Sequence, residues 1–101
     1  MDSISSDFRY ELRFSLIIGF QMLTSAQCRA ARALLDWSQQ KLADASRVGN
    51  ATIRNFESSK TAPQNATLEV LQRAFEDAGV IFIDENGEGP GVRLRKNIAA
   101  E

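Results

Sequence analysis

The chain has 101 residues, 44% of them hydrophobic and 25% charged, with a formal net charge of −1. That length holds one core rather than two, and the composition is not that of a disordered, collagenous or disulfide-framed chain. With no histidine and the single cysteine Cys28, histidine-ligated zinc, a serine–histidine triad, a histidine general base and an intramolecular disulfide are all excluded.

Residues 1–23 form an N-terminal extension unlike the rest. Phe8, Tyr10, Leu12, Phe14 and Leu16 alternate with polar neighbours, which predicts a strand up to about Leu16. The apolar run Leu16 to Phe20 is far shorter than the roughly 20 residues of a membrane span. Only Arg9 and Arg13 supply positive charge for a membrane surface, so packing or dimer contact is the expected role. Met22 offers an alternative start, with the first 21 residues as an upstream extension. Lacking a secretory cleavage pattern, the chain is expected in the reducing cytoplasm of a bacterium or phage host.

From Thr24 the pattern becomes helical. Thr24 with Gln27 three residues on is a capping box, and the alanine-rich run through Leu35 has high helix propensity. Asp36 and Trp37 interrupt it, and Ser38 is placed to cap a short helix from Gln39 to Ala45. A turn at Ser46 to Gly49 leads to a further helix, Asn50 to Glu57, in which Ile53 and Phe56 share a face. Ser58 to Asn65 reads as a loop with Asn65 as the next cap. Leu68, Leu71, Phe75 and Ala78 then mark one helical face, and Gly79 sits where a left-handed helix end belongs.

Val80 to Ile83 and Val92 to Arg95 are short β-prone runs around a turn-rich stretch, Asp84 to Gly91, so residues 80–96 are expected to form a β-hairpin and 97–101 a frayed tail. The glycines at 87, 89 and 91 lack the lysine and serine of a phosphate loop. Asp84, Glu85 and Glu88 lack EF-hand spacing, so no metal is expected. Cys28 is expected as a small buried apolar residue.

Charge is unevenly placed. Between residues 24 and 63, Arg29, Arg32, Lys41, Arg47, Arg54 and Lys60 outnumber Asp36, Asp44 and Glu57, while both flanks are net acidic. This permits a local nucleic-acid contact and makes non-specific DNA binding weak. By pattern alone, Asn50, Arg54 and Asn55 fit a solvated helix face as well as a DNA contact.

The segment Ser38-Gln39-Gln40-Lys41-Leu42-Ala43, then Val48, Thr52-Ile53, Phe56-Glu57, Lys60 and Pro63, resembles the helix-turn-helix family of the lambda-type and Cro-type phage repressors, over roughly residues 24–79. The resemblance implies a mainly α fold: a four-helix lambda-repressor-like DNA-binding core, followed here by the C-terminal β-hairpin. It further implies that Asn50, Ala51, Arg54 and Asn55 contact bases in the major groove, and that Gln39, Thr52 and Lys60 contact phosphate. Arg32 and Glu57 match the positions of a structural ion pair. The family commonly has glycine in the turn and serine or threonine at the cap of the second motif helix, where this chain has Arg47 and Gly49. The expected function is a transcriptional regulator, a repressor acting as a homodimer on double-stranded DNA, without cofactor or catalytic activity. The alternative is an antitoxin or other protein-interaction module with a small protein partner, which the acidic flanks and the Leu16 to Phe20 stretch favour slightly.

Overall fold

A computed structural model describes residues 22–96; the strand expected before Leu16 and the tail expected from Asn97 lie outside them. Four helices, α1 (Ser25–Leu35), α2 (Gln39–Ser46), α3 (Asn50–Glu57) and α4 (Asn65–Asp77), precede the strands β1 (Val80–Ile83) and β2 (Gly91–Leu94). A mainly α core of four helices with an appended hairpin is therefore the observed architecture, in the expected order.

The helix ends follow local chemistry. Thr24 accepts from the Gln27 backbone N–H while Gln27 Oε1 accepts from that of Thr24, each at 3.0 Å, completing the capping box. Asp36 ends α1 in the left-handed region, φ 57°, a conformation that short polar side chains enter more readily than most. Ser38 Oγ caps α2 through the Lys41 N–H at 2.9 Å. At the other end of α2, the Ser46 hydroxyl accepts from Val48 N–H at 3.1 Å.

Two expectations are corrected at α4. Gln64, not Asn65, is its N-cap: extended after Pro63, it offers its carbonyl to the Thr67 and Leu68 N–H groups, and Asn65 is already helical. Ala78 is exposed rather than on the buried face, because the helix stops at Asp77 and the chain turns at Gly79, φ 107°. Beyond its own chain neighbours, no atom lies within 4 Å of where a Gly79 Cβ would stand, so the turn needs glycine for its dihedral and not for space.

The core joins Leu23, Cys28 and Ala31 to Leu42, Ala43, Ile53, Phe56, Leu68, Leu71, Phe75 and Val80. Trp37 is only partly buried, stacking on Phe75 with centroids 6.0 Å apart, and Phe75 meets Phe82 of β1 at 6.1 Å. The strands pair antiparallel from Val80–Leu94 to Ile83–Gly91, so β2 begins one residue before the expected Val92. Glu85 Oε2 gathers the N–H groups of Gly87 and Gly89, each at 2.9 Å, and so holds the hairpin loop.

Candidate nucleic-acid interface

α2 and α3 are joined by three residues, and the turn depends on Arg47. Arg47 takes φ 65°, ψ 18° as the C-cap of α2, with its N–H bonded to the Ala43 carbonyl at 2.8 Å. A non-glycine residue is strained there by about 1 kcal/mol. Gly49 then caps α3 in extended backbone with no side-chain hydrogen bond. Arginine thus takes the left-handed place in the turn. Ile53 is fully buried and Phe56 nearly so, so α3 packs through one side and presents Ala51, Thr52 and Arg54 exposed, with Asn50 and Asn55 half-buried at the border.

α3 is held from behind by one carboxylate. Glu57, 5% exposed, receives Arg32 Nη2 at 2.7 Å and Gln39 Nε2 at 2.9 Å on Oε1, and Arg32 Nε at 2.8 Å and Cys28 Sγ at 3.2 Å on Oε2. Arg32 and Glu57 therefore form a two-point ion pair between α1 and α3. Arg32 also donates to the Trp37 carbonyl at 3.0 Å, and Arg29 donates to the Glu57 carbonyl. Burial alone would raise the Glu57 carboxyl pKa. The hydrogen bonds from Arg32, Gln39 and Cys28, with the Arg32 charge, outweigh it and hold the group below the usual carboxylate range. The Cys28 thiol is pushed far above its ordinary value, by burial first and then by its hydrogen bond to Glu57 and that group's charge. Cys28 is buried as expected, but it is a hydrogen-bond donor rather than a purely apolar filler.

The residues expected at DNA fall into two sets. Asn50, Ala51, Arg54 and Asn55 share one face of α3, since positions i, i+1, i+4 and i+5 adjoin on a helix. The Asn55 side chain makes no hydrogen bond to any described residue, while its carbonyl accepts from Lys60 N–H at 2.8 Å and Thr61 N–H at 3.3 Å, folding the following loop back under α3. Lys60 is exposed in that loop, after Ser59 in the left-handed region at φ 64°. Gln39 stands apart from them: its amide is turned to Glu57, leaving its second N–H for an outside acceptor.

Two residues of the site were missed by sequence reasoning. Gln40 of α2 accepts from Asn50 Nδ2 at 3.2 Å, and Asp44 one turn on accepts from Gln40 Nε2 at 3.0 Å. Their i, i+4 spacing on a polar face was a legible signal, but their meeting with α3 depends on how the two helices cross. Among the described residues, no helix is long and apolar enough to cross a membrane, and no cluster of three or more acidic or cysteine side chains is arranged to hold a metal ion.

Compared with known families, the chain matches the model described as Helix-turn-helix over residues 29–76, from the first half of α1 to the last turn of α4. No curated protein matches the chain.

Proposed function

Residues 29–76 belong to the lambda repressor and Cro kind of helix-turn-helix domain, and on that premise we propose that the protein is a sequence-specific transcriptional repressor that binds double-stranded DNA as a homodimer, in the cytoplasm of a bacterium or phage host. The observation that carries this reading is the two-sided nature of α3. Ile53, Phe56 and Glu57 are buried, so the rest of the helix surface, with Ala51, Thr52 and Arg54 exposed and Asn50 and Asn55 at its border, faces outward on a helix fixed at its far end by four donors.

A helix of this kind fits the major groove, about 12 Å wide, with its N-terminal residues at base edges. Arg54 suits guanine, the amides suit adenine, and the Ala51 methyl suits thymine. Thr52, Lys60 and the start of α2 at Gln39 supply phosphate contacts that set the register without reading sequence. One domain covers little DNA, so two half-sites about one helical turn apart supply affinity and impose a palindrome. The hairpin, a two-stranded sheet with no third strand among the described residues, is our candidate for the dimer contact.

Site selection from genomic duplexes, followed by titration of the enriched site at two salt concentrations, tests the reading. Wild type is expected to enrich one palindrome and to bind it more weakly as salt rises, while Arg54→Ala and Asn55→Ala relax the preference. Absence of any enriched site, together with copurification of a small basic protein, would replace it with the protein-interaction reading.

A further inference from the structure

The polar side chains bridging α2 and α3 form a chain with a fixed direction. The Asp44 carboxylate only accepts, and it receives Gln40 Nε2 at 3.0 Å. Gln40 therefore turns Oε1 away from it, where that atom accepts from Asn50 Nδ2 at 3.2 Å. Asn50 in turn directs Oδ1 to Arg54, which only donates and does so through Nη1. A side-chain amide alone has two nearly equivalent orientations. Here a carboxylate at one end and a guanidinium at the other leave one, because reversing either amide would set donor against donor and acceptor against acceptor.

We propose that Gln40 is a positioning residue for base reading: through Asn50 it fixes the Arg54 guanidinium for a guanine edge, without touching DNA itself. The inference rests on the DNA-reading role above and narrows it. The relay takes one N–H and one lone pair of the Asn50 amide and so fixes its direction, with Oδ1 aimed at Arg54. Arg54 keeps Nε and Nη2 for a guanine acceptor pair after donating from Nη1. Because its guanidinium is held before DNA arrives, less rotamer freedom is lost on binding. Asn50 is thus Arg54's support, and the two residues serve one base pair rather than two.

Site selection with the full chain, for wild type, Gln40→Ala, Asn50→Ala, Arg54→Ala and the Gln40→Ala/Arg54→Ala double variant, decides the matter. It is followed by titration of the enriched duplex and of a duplex in which the assigned guanine is replaced by adenine. Gln40 is exposed, so its truncation leaves the core untouched. Gln40→Ala is expected to lower the guanine preference by about fivefold, the lower end of one two-point base contact. The loss should fall at the same base pair that Arg54→Ala and Asn50→Ala relax, leave affinity for an unrelated duplex unchanged, and vanish in the Arg54→Ala background. A uniform loss on every duplex would make Gln40 a phosphate contact and overturn the relay. So would an effect that persists without Arg54, or an Asn50→Ala variant that relaxes a different base pair. If wild type itself enriches no site, the DNA-reading premise fails and the relay's role falls with it; an enriched site indifferent to Gln40 overturns the relay alone.

Discussion

Replacing Arg32 by methionine isolates what the buried carboxylate of Glu57 needs. The carboxylate is left with only Cys28 and Gln39 as donors, at 5% exposure, and at the C-terminal end of α3, where unpaired carbonyls already concentrate negative potential. Removing one partner of a buried pair costs roughly 3–5 kcal/mol. Since Glu57 can take up a proton, the lower bound of about 3 kcal/mol applies here. Glu57→Gln is the milder change. Arg32 is 21% exposed and keeps the Trp37 carbonyl, so it rehydrates, and the expected cost is about 1–2 kcal/mol. Urea denaturation followed by circular dichroism measures both, and in heat the Arg32→Met loss corresponds to about 12–24 °C in Tm for a domain of this size. The Arg32→Met/Glu57→Met double variant should lose at least about 2 kcal/mol less than the sum of its single variants, because no stranded charge remains. An Arg32→Met protein as stable as wild type, or single losses that simply add, would refute the argument. The same carboxylate sets an acid limb. Its folded pKa lies below its unfolded value, about 4.3, so its stabilisation is present above that pH and lost as pH falls through the folded value. Glu57→Gln should flatten that limb.

Three further outcomes are expected. Arg47→Gly relieves the left-handed strain at φ 65° and should stabilise the fold by at most about 0.5 kcal/mol after the added freedom of the unfolded chain is subtracted, read as a small rise in the urea midpoint. Cys28, buried with its thiol pKa raised, should react with a thiol reagent only at the rate of opening. Its contribution to stability is full below the unfolded thiol value near about 8.5 and falls as pH rises beyond it, so Cys28→Ala should show a smaller alkaline loss in the same titration. Gln27→Glu keeps the capping box but removes the donor to the Gly91 carbonyl at 3.0 Å; it should cost about 1 kcal/mol and speed amide exchange in the hairpin.

Where partners lie within one turn of chain, the residues alone settle the structure. Thr24 with Gln27, Ser38 before α2, Gly79 after α4 and the glycine-rich hairpin loop each meet their partners a few positions away, so the four helices, the hairpin and the outward face of α3 were all legible. The left-handed turn at Arg47 was legible only as a departure from the family's glycine. Asn65 was misjudged because the cap is decided by where Pro63 lets the chain enter the helix, not by which side chain is the better acceptor. Gln27 was legible as a capping-box residue; only the packing of β2 against α1 gave its amide N–H an acceptor, 64 residues away. The surroundings of Glu57 come from Cys28 and Arg32 on α1 and Gln39 on α2, 18 to 29 positions distant, and Gln40 meets Asn50 ten positions on. Sequence determined the helices, most of their ends and the face that α3 leaves to solvent, because those rest on local hydrogen bonding and periodicity. Tertiary structure alone decided which side chains hold that face in place, because a helix-crossing geometry brings together atoms that no spacing along the chain relates.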